Sequence, residues 1–249
     1  MRRSIVRQVL PACVGLLVAS TAVFAQAPAP SGPWTTETAS AGLAVTQGNK
    51  DTSSVNVGYE LVYDPKTRNV VKSDGLLLYG KTDGVKSADR LGLNARDEYQ
   101  LTGRSYLYGQ TQYLRDEFKN IAYLFAPTAG LGYRLIDTPS TKFSVDGGLG
   151  AEWDKAPGAS SVSKSGAVTF GDKLSRRISA STAISQNFTA LYKTKDFNDA
   201  LYSFGVALTT SMSAHSQLKV EVLDVYKNLV PAPYQKNDMA LIIGFVFKR

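Results

Sequence analysis

Residues 143–154 read Phe-Ser-Val-Asp-Gly-Gly-Leu-Gly-Ala-Glu-Trp-Asp, with Phe143, Val145, Leu149, Ala151 and Trp153 at one parity and Ser144, Asp146, Glu152 and Asp154 at the other. A period of two marks an extended strand, because successive side chains point to opposite faces. One face of this strand is therefore apolar and the other polar. Four further segments alternate as cleanly: Val55, Val57, Tyr59 and Leu61; Leu91, Leu93 and Ala95, opposed by Arg90, Asn94, Arg96 and Glu98; Tyr202, Phe204, Val206 and Leu208; and Leu241, Ile243, Phe245 and Phe247.

Working outward from 143–154, the pattern predicts twelve strands, at 36–47, 52–63, 70–82, 88–100, 103–116, 121–135, 141–154, 165–177, 178–192, 199–213, 215–227 and 237–248. Turn chemistry separates them, as in Gly48-Asn49-Lys50-Asp51, Asp83-Gly84, Thr102-Gly103 and Asp137-Thr138-Pro139-Ser140. Such short links join antiparallel neighbours, so the chain reads as an up-and-down meander. The longer links 155–164 and 228–236 are expected at one rim. Two places resist the pattern: Pro127 deletes a ladder donor inside the sixth segment, and the segments around Arg176 and Arg177 have no distinct apolar face.

The N-terminus carries Arg2, Arg3 and Arg7 before a short apolar run from Cys13 to Ala22, and Val23-Phe24-Ala25 supplies the small residues of a cleavage site. The run is too short to cross a bilayer, which takes roughly 20 helical residues. Residues 1–25 are accordingly expected to be a cleaved export signal and 26–33, rich in alanine and proline, a disordered leader. Cys13 is the only cysteine, so the exported chain is expected to hold neither disulfide nor thiol chemistry. Charge is 28 basic against 21 acidic residues and is spread along the chain, without the basic patch that grips nucleic acid.

Alternation alone also fits a soluble periplasmic β-sandwich or binding barrel. Two features favour a membrane barrel. The face opposite the apolar one is small and charged, as a crowded lumen requires, and its candidate lumen charges are Arg90, Arg96, Asp146 and Glu152. Tyr59, Tyr63, Tyr79, Tyr99, Tyr113, Tyr133, Trp153 and Tyr202 fall mostly toward strand ends, where interfacial girdles sit. The expected fold is all-β: a transmembrane antiparallel up-and-down β-barrel of about twelve strands over residues 34–249. Outer-membrane lipid is the expected surrounding and the barrel-assembly machinery a partner during insertion; the barrel is expected to be either a narrow pore for a small solute or a plugged, structural or stress-related envelope protein. No cofactor or metal is expected.

Chemistry has one candidate centre. His215 is the only histidine, flanked by Ser213 and Ser216 with Asp224 further along, which frames a barrel-borne hydrolase as the alternative reading. Asp116 and Glu117 are adjacent in a strand and point to opposite faces, so they do not form a general acid–base pair.

Short motifs add a family resemblance. Gly48-Asn49-Lys50-Asp51-Thr52, Arg115-Asp116-Glu117-Phe118, Gly130-Leu131-Gly132-Tyr133-Arg134-Leu135 and Asn237-Asp238, in that order, resemble the DUF481 family, to which a salt-induced outer membrane protein belongs. The resemblance covers roughly 38–248 and implies an outer-membrane barrel of Gram-negative bacteria without catalytic residues. It departs at the C-terminus, where Phe245 and Phe247 are followed by Lys248-Arg249 instead of a final aromatic residue. Arg115, Asp116 and Glu117 form a candidate rim charge cluster, the two acids expected to pair with Arg115, Arg134 or Arg96. Gly130 and Gly132 are expected to permit close packing.

Overall fold

A computed structural model describes residues 34–46, 52–232 and 234–248. The expected signal, the leader and the Gly48-Asn49 turn lie outside the described residues. Twelve strands follow in chain order: β1 Trp34–Thr46, β2 Thr52–Tyr63, β3 Asn69–Thr82, β4 Val85–Gln100, β5 Ser105–Asp116, β6 Ile121–Asp137, β7 Thr141–Lys155, β8 Ser163–Arg177, β9 Thr182–Lys193, β10 Asp196–Ser211, β11 Ser216–Lys227 and β12 Asn237–Lys248. Each pairs antiparallel with its sequence neighbours, and β12 returns to β1 to close the barrel. Closure removes the unpaired edges that hydrocarbon does not tolerate.

The start of β1, the end of β12 and the links 64–68, 101–104, 138–140, 178–181 and 212–215 occupy one rim, the terminal rim. The opposite rim carries the long links 156–162 and 228–236 together. Short links of the first rim are stapled by serine and threonine: Thr102 Oγ1 accepts from the Arg104 and Ser105 N–H groups, and Ser179 Oγ from those of Ser181 and Thr182. The second staple corrects the ninth predicted segment, because 178–181 are spent on the turn and the strand begins at Thr182.

Register fixes which face each residue takes. Phe143, Val145, Leu149, Ala151 and Trp153 point outward, while Asp146, Gly148 and Glu152 point into the lumen. Pro127 is accommodated on the outward face of β6: its pairing with β7 lapses at Ala126 and Pro127 and resumes at Thr128↔Gly150. Outward aromatics gather near the long-link side, where Tyr192, Tyr202 and Tyr226 follow one another around the wall with ring centroids 5.7 and 5.9 Å apart, and Phe125 meets Trp153 at 6.1 Å. Tyr63, Tyr99 and Tyr133 lie toward the terminal rim, so the wall carries a girdle at each end.

The lumen is divided along its length. On the long-link side Leu114, Ile121, Leu124, Leu191, Leu201, Val225 and Ile242 pack into one buried apolar cluster, with Leu76 and Leu78 against it. On the terminal side charged and polar inward residues predominate, and Asp74, Lys173 and Asn187 are open to solvent there. Eight-stranded barrels are filled by side chains and sixteen-stranded ones are open. At twelve strands, large inward side chains fill part of this barrel: the apolar cluster on the long-link side, and buried Tyr106 and Tyr108 toward the terminal rim.

Candidate functional site

Glu98 on β4 is the hub of the lumen network. Its carboxylate pairs with Lys72 at 2.7 Å and Arg96 at 2.9 Å, with Arg134 at 4.0 Å. Arg96 also reaches Asp146 on β7 at 2.8 Å and donates to Gln110 Oε1 at 2.8 Å. These partners come from five strands, β3 to β7. A guanidinium is suited to the task, because its planar fork serves several acceptors at once.

Two inward tyrosines hold that guanidinium in place. Arg96 stacks 3.7 Å above the Tyr108 ring centroid, and Arg134 lies 5.1 Å from that of Tyr106. The rings lie flat because the wall behind them is glycine: a Cβ on Gly132 would run into Tyr106, and one on Gly148 into the Tyr108 hydroxyl. Gly130 abuts the backbone of Gly147 and Gly148. The glycines of the third family motif thus make room for the aromatic and cationic layer.

A second group lies on the long-link side. Lys193 is held by Asp199 at 2.7 Å, Asp154 at 3.0 Å and Glu152 at 3.4 Å. Glu152 is only 2% exposed, and it lines a small cavity with Lys193, Asp199, Lys227 and apolar Ile121, Leu124, Leu191 and Leu201. Burying such charges is unfavourable unless they are paired, and here one ammonium faces three carboxylates.

The third group sits where the β5–β6 link folds into the barrel mouth. A single 3-10 turn, Glu117–Lys119, is capped by Asp116, whose Oδ1 accepts from the Phe118 and Lys119 N–H groups, and Asn120 leaves the turn in the left-handed region at φ 56°. Lys119 is 0% exposed. It donates to the carbonyls of Gln235 and Lys236 at 3.1 and 2.8 Å and pairs with Asp238 at 2.9 Å. Two family motifs far apart in sequence therefore meet across the mouth.

Four of the expected positions, Arg90, Arg96, Asp146 and Glu152, all point inward, but they do not form one site. Arg96 and Asp146 pair directly; Arg90 lies 3.6 Å from Asp116, and Glu152 belongs with Lys193. The expected pairings of the rim cluster are corrected. Strand alternation splits it, with Asp116 inward to Arg90 and Arg115 outward to Asp89 at 2.5 Å, while Glu117 reaches Lys86 at 2.6 Å. Arg134 joins Glu98 instead. Lys72, Lys119, Lys193 and Asp199 were not singled out in the sequence, since isolated charges there carry no sign of whom they meet.

His215 lies exposed in the 212–215 link, its backbone N–H donating to Ser213 Oγ. Asp224 lies on the outward face of β11, nine residues on and thus on the order of 30 Å away along an extended strand. The Ser-His-Asp grouping has no common site. Among the described residues no cluster of three or more His, Cys, Asp or Glu is placed to hold a metal.

The solved NanC porin shares this fold with a TM-score of 0.52 at 8% identity, the match covering 86% of this chain and 99% of that one. An outer membrane channel from Pseudomonas putida F1 gives a TM-score of 0.48 at 14% identity, over 86% and 96% of the two chains. No curated protein matches the chain. The porin likeness identifies the architecture as that of an outer-membrane barrel, and the sequence itself identifies the lineage: the model of a protein family of unknown function, DUF481, matches residues 39–248, and the chain belongs to that family.

Proposed function

We propose that this protein is a narrow outer-membrane pore for small polar solutes, closed at rest by its own lumen. The observation that carries this reading is the change along the lumen, from a side where the inward groups Asp74, Lys173 and Asn187 are open to solvent to a side where a buried apolar cluster packs against the paired charges around Lys193. Apolar constrictions gate channels by excluding water, and opening one requires only that a few side chains part. Cations and carboxylates interleave in the open half, so the cargo is small and polar and not of one charge. In the same proposal residues 1–25 direct export and are removed, and the barrel-assembly machinery inserts the chain with its terminal rim in the periplasm and its long links outside.

The purified protein in planar bilayers tests this. Leu223 on β11 belongs to the same buried cluster as Leu114 on β5; wild type is expected to be silent or to open rarely, and a Leu114→Ala/Leu223→Ala variant, which thins the apolar layer from opposite sides, to conduct steadily. A folded variant that stays silent would refute the pore. That outcome would leave the second reading, a structural or stress-related envelope barrel, which the ion pair and two hydrogen bonds that tie Lys119 of the β5–β6 link to the start of β12 across the mouth favour.

A further inference from the structure

The eighth and ninth strands lack a clean apolar face for a reason that register makes plain. Asp172 on β8 stands opposite Val145 and Phe188, and Gln186 on β9 opposite Leu174 and Val206, all on the outward face. Asp172 lies six residues before Ile178, and Gln186 five after Ser181, so both stand at similar depth above the 178–181 link. They are interior to their strands, inside the band between the aromatic girdles. Among the described residues neither side chain makes a hydrogen bond or an ion pair.

Hydrocarbon is a poor solvent for both groups. A carboxylate on the lipid face is destabilising in a depth-dependent way, and an unpaired amide adds its own desolvation penalty. They are diagonal neighbours on adjacent strands, about 7–8 Å apart, and no hydrogen bond joins them within the chain. Their chemistry is nonetheless complementary: the carboxylate only accepts, and the amide NH2 donates.

We propose that the outer face of β8 and β9 is the contact between two copies of this chain. Two barrels inserted with the same orientation are related by a two-fold axis along the membrane normal, which brings residues of equal depth face to face. Placing that axis between Asp172 and Gln186 sets each carboxylate against the second copy's amide, giving two reciprocal hydrogen bonds. Phe170, Leu174, Ile184 and Phe188 surround them on the same face and supply a dry apolar rim. Polar pairs of this kind act as glue in membranes because lipid offers no alternative partner.

The test is the oligomeric state of the full barrel across a concentration series, by light scattering in mild detergent and by energy transfer between labelled copies in vesicles. Wild type is expected to be dimeric. Asp172→Leu and Gln186→Leu should each weaken the dimer at least tenfold while keeping heat-modifiable migration on gels, the sign of an intact barrel. The exchanged pair Asp172→Gln/Gln186→Asp should restore it. A wild type that is monomeric throughout, or folded leucine variants as dimeric as wild type, would overturn the proposal. Leucine variants that lose the dimer without recovery in the exchanged pair would equally overturn the reciprocal pairing.

Discussion

Lys119 illustrates how a single side chain can be decided by what remains when its partner is removed. Its ammonium is wholly buried, and Asp238 is the only carboxylate paired with it among the described residues. Truncating one member of a buried pair leaves an uncompensated charge, a loss of about 3–5 kcal/mol. Asp238→Ala should fall near the lower end, about 3 kcal/mol, because the carbonyls of Gln235 and Lys236 still accept from Lys119. Lys119→Met should cost less, since the carboxylate it strands is partly open to solvent. Denaturant unfolding in lipid vesicles distinguishes the two, and a larger loss for Lys119→Met would show that Asp238 is the costlier group to leave alone.

At the scale of the element, β7 carries two faces with opposite tolerances. Leu149 is 68% exposed on the outer wall, so Leu149→Asp puts a charge directly into lipid at a cost of about 2 kcal/mol. Glu152→Ala removes one of three carboxylates around Lys193, which Asp154 and Asp199 still hold. Insertion into vesicles should therefore suffer more from Leu149→Asp than from Glu152→Ala; equal tolerance would mean that the faces are reversed. This much of β7 was legible in the sequence, because parity depends only on local geometry. Pairing was not: Asp146 meets Arg96 from three strands away, and Glu152 meets Lys193 from two, distances that only barrel closure and stagger define. Lys119 was the hardest to read, since a lysine in a polar link is ordinarily exposed and its burial depends on a turn folding inward onto β12. The missing apolar face of β8 and β9, in contrast, was a true signal in the sequence, whose cause is Asp172 and Gln186.

Over the whole molecule, the wall is not equally closed. The β1–β12 ladder runs from Thr38↔Lys248 only to Ala41↔Phe245, whereas β1 pairs with β2 from Trp34↔Tyr63 through Thr46↔Thr52 and β10 with β11 from Leu201↔Lys227 through Ser211↔Gln217. Every other seam is also covalently joined by a link, while this one joins the two ends of the described chain. Local opening takes place where the fewest backbone hydrogen bonds must break together. Backbone amides of β1 and β12 should therefore exchange with solvent deuterium well before those of β6 and β7, whose ladder extends from Tyr123↔Lys155 to Asp137↔Lys142. Mass-resolved exchange of the folded barrel in micelles measures this strand by strand. Uniform protection around the wall would mean that the short ladder is compensated by the packing of Ile242 and Val246 inside it, and that the barrel opens as one unit.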